Sequence, residues 1–318
     1  MKKIMMLFIV ITMLWCMPHS VASAEEKGAG NLENMLYYTD AKTGATQLIS
    51  MDVTNVKQDT NGERISAGNM TSPSGILTGR GSFASSTRAI IGDDNMWKVA
   101  DASAKPYSAI GLVEVTYTNG RSLHGTGFMI SGNTMLTAAH NIIEKDWEVA
   151  NVAVYLRKSK YYRTPTAYAS SWYVCAEYND YLEVDHKDDY AILCFSSDIS
   201  NYWFGLDTSV TYNPDAYLCG YPYDKANVTT RTFEQWCANG TIVSHGYEIS
   251  EHNIDSKRGQ SGGPIFLYNS TLKQWVVRGI HVGDVVEEEG DDVGYRCFSR
   301  RITDELFDFL VEKGFISE

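Results

Sequence analysis

Gly125-Thr126-Gly127-Phe128-Met129-Ile130-Ser131-Gly132-Asn133-Thr134-Met135-Leu136-Thr137-Ala138-Ala139-His140 is the stretch that decides the fold. An apolar strand ends at Ile130, Ser131-Gly132-Asn133 turns the chain, and a second apolar run stops on His140. The small Ala138 and Ala139 let the backbone fold closely beneath the imidazole. The same style continues outward in both directions. Short runs at 111–117, 152–156, 190–195, 216–220, 241–244, 275–281 and 294–298 are rich in β-branched and aromatic residues. Turn pairs such as Asn119-Gly120 and Asn239-Gly240 separate them. Many short strands with turns between them predict an antiparallel all-β protein, a barrel or a sandwich. One helix stands out at the C-terminus. Ile302, Leu306, Phe309 and Leu310 make its apolar face, Thr303 or Asp304 caps it, and Gly314 ends it.

The chain has 318 residues, 44% of them hydrophobic and 12% aromatic, enough to build a core. Lys plus Arg total 27 against 39 Asp plus Glu, a formal charge of −12. This balance excludes a general nucleic-acid binder, which needs clustered basic residues, and a protein held on an anionic membrane surface. Lys2 and Lys3 precede an apolar run over 4–16, and Ala22-Ser23-Ala24 follows as a small-residue cleavage site. That pattern predicts a secretory signal over 1–24 and a secreted, extracellular protein with no stable membrane association once the signal is removed. The run is shorter than the roughly 20 apolar residues of a spanning helix. Trp15 before Cys16 argues against lipid attachment. Cys175, Cys194, Cys219, Cys237 and Cys297 remain, an odd number, so at least one thiol stays free or pairs between chains. No CxxC or Cys/His spacing suits zinc, and no metal or cofactor is expected. Residues 25–88 are polar with little sustained periodicity, and 79–82 and 84–88 read as exposed and cleavable.

Two further segments carry chemistry. Asp188-Asp189-Tyr190-Ala191-Ile192-Leu193 places an acid at the start of an apolar strand, where it is buried and aimed; either Asp fits. Gly259-Gln260-Ser261-Gly262-Gly263-Pro264 surrounds a Ser with glycines that permit left-handed backbone and leave amides bare. A neutral hydroxyl is a weak nucleophile and needs an adjacent base. His takes that proton and returns it near neutral pH. A buried carboxylate sets the imidazole tautomer, and backbone N–H groups stabilise the oxyanion. His140 begins His-Asn-Ile-Ile-Glu, which is not a zinc-protease HExxH.

TAAH at 137–140, DYAIL at 189–193 and GQSGGP at 259–264 resemble the trypsin-like two-barrel serine proteases. Within them the sequence is most similar to the bacterial glutamyl endopeptidases. Ala89-Ile90-Ile91-Gly92-Asp93-Asp94 resembles their mature N-terminus, 219–225 their GYPxDK segment, and Gly279-Ile280-His281 their specificity strand. The resemblance runs from about residue 89 to the end. It implies a chymotrypsin-like fold of two antiparallel β-barrels with a C-terminal helix. It implies a propeptide at 25–88, an N-terminal barrel at 89–203 with His140 and Asp189, and a C-terminal barrel at 204–318 with Ser261. It selects Asp189 over Asp188, and makes the Gly259 and Ser261 amides the oxyanion donors. His124, His186, His245 and His252 are expected to be solvated or structural.

The implied activity is a secreted serine endopeptidase, working through an acyl-enzyme on protein or peptide substrates, as a monomer. In trypsin an Asp before the nucleophile pairs with the new N-terminal ammonium; here Gln260 takes that place, so that ion pair does not form. Cleavage after Arg88 would put Ala89 near the specificity pocket, as in the glutamyl enzymes. His281 and Ser256 match the family's pocket groups and imply a preference for Glu, less strongly Asp, before the scissile bond. Asp255, six before the nucleophile, is where trypsin binds Arg or Lys, so a basic or broad preference is an alternative. Asp284 replaces a small residue at the pocket rim. With the acidic run over 287–292 it would repel an acidic substrate from the cleft, partly offset by Lys257 and Arg258. A solvated loop is the plain reading of that run, and its spacing does not match an EF-hand. An inactive relative acting as a binding or adhesion protein is the alternative of another class.

Overall fold

The computed structural model describes residues 34–51, 64–70, 94–144, 146–157, 164–178, 186–211, 213–227, 229–289 and 292–317; over 285–289 and 292–296 it describes the backbone. The signal at 1–24, the cleavage point after Arg88 and residues 89–93 lie outside the described residues. In chain order the strands are β1 (Met35–Asp40), β2 (Thr46–Ser50), β3 (Trp97–Lys98), β4 (Ile110–Tyr117), β5 (Ser122–Met129) and β6 (Thr134–Thr137). Then come β7 (Val149–Leu156), β8 (Ala167–Tyr168), β9 (Ser171–Cys175), β10 (Ala191–Cys194), β11 (Gly205–Leu206) and β12 (Asp215–Gly220). Last are β13 (Trp236–His245), β14 (Ile249–His252), β15 (Pro264–Asn269), β16 (Gln274–Glu289) and β17 (Asp292–Arg301), followed by the helix α1 (Asp304–Glu312).

Two sheets result. The first runs β2-β1-β9-β10-β6-β5-β4-β7-β8. The second runs β11-β16-β15-β12-β13-β14-β17, and β17 pairs back onto β16, so six strands close a barrel. The first sheet remains an open ladder among the described residues, so hydrogen bonds close only one of the two barrels that the resemblance implies. The all-β class and the C-terminal helix are as expected. One pairing is not antiparallel: β11 lies parallel to β16. Strand β4 is buried along nearly its whole length because β5 and β7 flank it and the core covers it.

The helix forms where its apolar face falls. Leu306, Phe307, Phe309 and Leu310 are buried, and the Thr303 hydroxyl accepts a bond from Leu306 N, so Thr303 rather than Asp304 is the cap. Gly314, at φ +71, ends it with Phe315 N donating to Leu310 O at 2.8 Å. Phe309 and Phe315 meet Tyr173 of β9 at 6.0 and 5.7 Å, so the last element of the chain packs on the first sheet.

Three expectations change. Asn239-Gly240 is not a turn but the middle of β13, opposite Tyr217 and Ala216. A Cβ on Gly240 would stand 2.5 Å from Asn253 Oδ1, so this glycine serves a close approach. Residues 35–50, read as aperiodic, form a hairpin in five-residue register. The acidic run is not a loop: 287–289 extend β16 and pair with 292–294 of β17.

Candidate active site

His140 leaves β6 on a single 3-10 turn, Ala139–Asn141. Asp189 follows the turn His186–Asp188 and leads into β10. Since β10 pairs with β6, Ala191 opposite Thr137, the acid and the imidazole arrive at the same end of neighbouring strands. Asp189 is fully buried. Its Oδ1 accepts from His140 N at 3.0 Å and its Oδ2 meets His140 Nδ1 at 2.6 Å. One carboxylate thus fixes both the backbone and the ring, and Nδ1–H donating to it leaves Nε2 as the acceptor. Asp188 points elsewhere, accepting from Cys175 Sγ at 3.6 Å.

The Ser261 loop is bolted to β5 and to the turn that carries His140. Ser261 O accepts from Thr126 N at 2.9 Å and from Asn141 Nδ2 at 2.8 Å, the residue after His140. Gly262 has φ +81, and a Cβ there would lie 2.1 Å from Thr126 O, so only glycine lets the loop press this close. Gly259 has φ +98. Its carbonyl accepts from Thr126 Oγ1 at 2.8 Å, and that hydroxyl accepts from Tyr221 N at 3.1 Å. Gln260 closes the loop: its Oε1 accepts from Lys257 N at 2.9 Å and its Nε2 donates to Trp236 O at 3.3 Å. Among the described residues neither the Gly259 nor the Ser261 N–H donates to a protein acceptor.

The residues expected to line the pocket also converge. Gly262 N donates to His281 O at 2.7 Å, and His281 N donates to Gly263 O at 2.8 Å, joining the Ser261 loop to β16. His281 is buried, and its Nδ1 meets His252 Nε2 at 3.3 Å. Burial pushes His252 down to about 3, and burial followed by the neighbouring His252 and His140 holds His281 well below its ordinary value. Both rings are therefore neutral at working pH. Ser256 is buried with Oγ 3.6 Å from Cys297 Sγ. Cys297 in turn stands opposite the half-buried Asp284. Asp255 is fully buried and accepts from Asn95 N at 2.9 Å, so a segment close to the expected mature start occupies this carboxylate. Lys257 Nζ sits 3.9 Å from Asp224, and Arg258 lies over the Tyr223 ring at 5.7 Å.

Sequence reasoning missed Thr126 and Asn141, while His252, expected to be solvated or structural, is buried against His281. Thr126 and Asn141 act by tertiary contact alone, and His252 has no local motif. His124 proves structural: its Nε2 lies 3.4 Å from Glu114 Oε1 and its Nδ1 meets Tyr223 OH at 3.2 Å. The five described cysteines are all free thiols.

A family profile described as a trypsin-like peptidase domain matches residues 125–273. An extracellular metalloprotease of Bacillus subtilis is 25% identical over 197 residues, covering 59% of this chain and 61% of that protein. A glutamyl endopeptidase of Bacillus licheniformis is 27% identical over 194 residues, covering 58% and 57%. This chain therefore spans about three-fifths of the length of the curated relatives it matches. Among solved structures, a Glu endopeptidase in complex with MPD aligns with a TM-score of 0.55 at 21% identity, covering 70% of this chain and 98% of that one.

Proposed function

We propose that this chain, which has the chymotrypsin fold, carries a trypsin-like peptidase domain and is similar to glutamyl endopeptidases, is a secreted serine endopeptidase cutting after Glu. The observation that carries the reading is the buried Asp189 bonded twice to His140, with the Ser261 backbone fastened to Thr126 of β5 and to Asn141, the residue after His140. In the reaction the Ser261 Oγ attacks the scissile carbonyl while His140 Nε2 takes its proton. Asp189 stabilises the imidazolium that forms, and the Gly259 and Ser261 amides hold the oxyanion. The C–N bond breaks as Nε2 passes the proton to the leaving amine. Water then attacks the acyl-enzyme by the same route and frees Ser261.

The preference for Glu, less strongly Asp, is supported by the neutral His pair. With His252 Nε2–H donating to His281 Nδ1, His281 carries its own proton on Nε2 and donates it to a substrate carboxylate. The Arg/Lys alternative rested on Asp255, whose carboxylate is engaged by Asn95 N. The substrates are protein or peptide, the enzyme is a monomer, and export is supported by the extracellular designation of the B. subtilis relative. Among the described residues no helix is long and apolar enough to cross a membrane.

Matched peptides with Glu, Asp, Arg or Lys before a chromogenic leaving group test the specificity. Glu should be cut fastest, and faster turnover after Arg or Lys refutes the preference. A sulfonyl fluoride should modify Ser261 and abolish hydrolysis, and Ser261→Ala should be inactive on casein. Inhibition by a chelator with no effect of the sulfonyl fluoride would replace this mechanism with one like that named for the B. subtilis relative.

A further inference from the structure

The expected propeptide contains 34–51 and 64–70, and both are woven into the body. Strand β1 pairs with β9 from Leu36 opposite Cys175 to Asp40 opposite Ser171. Flanking bonds extend the ladder, with Ala176 N donating to Met35 O and Ala41 N to Ser170 O, both at 2.9 Å. Without β1, that side of β9 is an open sheet edge. Tyr38 meets Tyr173 at 5.0 Å, the ring on which Phe309 and Phe315 also pack. Leu36, Met51 and Met70 are buried members of the main core. The Tyr190 hydroxyl donates to Met51 Sδ at 3.0 Å, one residue from Asp189.

The second stretch is held on other elements. Ser66 is buried: its N donates to Leu206 O at 2.9 Å, its Oγ accepts from Leu206 N at 2.8 Å, and its O accepts from Gln274 Nε2 at 3.0 Å. Gln274 Oε1 accepts from Gly68 N at 2.9 Å, and Asn69 Oδ1 accepts from Trp203 N at 2.8 Å. Arg64 pairs with Asp308 of α1 and lies 4.8 Å over Phe307. Loss of the two stretches would unpair buried main-chain groups on β9, β11 and β16 and strip three apolar side chains from the core.

We propose that 34–51 and 64–70 form a permanent strap, which stays docked on the body as a second chain after the polypeptide is cut between 71 and 93. Maturation then severs a covalent link without releasing the segment, and the edge of β9 with the 203–206 and 274–275 backbone is its binding surface. The inference does not depend on catalytic activity and is tested without it. In the full chain carrying Ser261→Ala, a recognition site for a sequence-specific protease is inserted within 81–87 and cut. The products are then run on native size exclusion, with mass spectrometry of each peak. The fragment containing 34–70 should co-elute with the body at one to one and separate only in denaturant. Elution of the fragment apart from the body under native conditions overturns the proposal. In the same cut protein, the double variant Leu36→Asp and Tyr38→Asp should lower retention at least tenfold. Full retention of that variant also overturns it, because β1 would then contribute nothing to the docking.

Discussion

Thr126→Val probes how the first sheet supports the proposed oxyanion site. The side chain is fully buried and changes little in volume, so no cavity opens. What is lost is a hydroxyl that donates to Gly259 O at 2.8 Å and accepts from Tyr221 N at 3.1 Å. Two buried main-chain groups lose their partner, each at about 1–3 kcal/mol. Together that is about 2–6 kcal/mol, and at about 2–4 °C per kcal/mol the Tm falls by roughly 5–20 °C. Part of the penalty is relieved if the 259–260 peptide rotates, and rotation disturbs the Gly259 amide. Losing one oxyanion donor costs about 10²–10³ in kcat. Steady-state kinetics on a Glu chromogenic peptide should therefore show kcat down about 100-fold with KM within about threefold, the pattern of an interaction made in the transition state. A peptide boronate should bind more weakly in proportion. Thr126→Ser, which keeps the hydroxyl, should retain most of kcat. The reasoning is refuted if Thr126→Val loses Tm but keeps kcat within twofold, or if Thr126→Ser is as slow as Thr126→Val.

Asp189→Asn should lower kcat by about 10⁴ with the fold intact, because an amide in place of the Oδ2 acceptor turns the His140 ring to the wrong tautomer; single-turnover kinetics and circular dichroism check both parts. His252 and His281 are buried neutral, so the unfolded chain binds more protons below about pH 6.5. Their stabilisation is complete above that value and is lost as pH falls towards the folded-state values, by about 2 kcal/mol per group at pH 5; urea midpoints across pH 4–8 should show the slope, and His252→Gln should flatten it. Burial pushes the thiols of Cys175, Cys194 and Cys297 up to about 12, so thiol reagents at pH 8 should react slowly with the native protein. In guanidinium five thiols should titrate if the signal has been removed, and six if Cys16 remains.

The segments of the proposed triad were legible because each joins a strand end to a chemical group within a few residues. TAAH, DYAIL and GQSGGP state both the local backbone and the side chain that uses it. The choice between Asp188 and Asp189 was not local, since it depends on which carboxylate faces β6, and the residues alone left it open. Asn239-Gly240 misled for a related reason. An Asn-Gly pair favours a turn, but here the glycine clears space for Asn253 inside a strand. The hairpin over 35–50 was hidden because its outer strand β2 is largely exposed and carries no alternating apolar face. The strand becomes stable only by adding to β9, a partner more than a hundred residues away. Thr126 and Asn141 were invisible for the same reason, since their roles consist of bonds to a loop 120 residues and more along the chain.

The acidic run bears less on specificity than its charge suggests, and the hairpin geometry says why. Asp284 and Glu289 are five residues apart on β16, and a strand rises about 3.4 Å per residue, so the tip lies about 17 Å beyond Asp284. That exceeds the Debye length of about 8 Å at physiological ionic strength, and the tip charges are screened from the pocket. Asp284 is different. It stands opposite Cys297, whose Sγ is 3.6 Å from Ser256 Oγ, and after burial its charge helps to hold the Cys297 thiol up. At the pocket rim it would repel a substrate Glu by on the order of 1 kcal/mol, the scale of a close charge pair in a watery setting. Asp284→Asn should therefore raise kcat/KM for a Glu peptide about fivefold at low salt, and less at 1 M salt. The triple change of Glu287, Glu288 and Glu289 to Gln should alter it by less than twofold. If the triple change gives the larger gain, the acidic tip reaches the cleft and the screening argument is wrong.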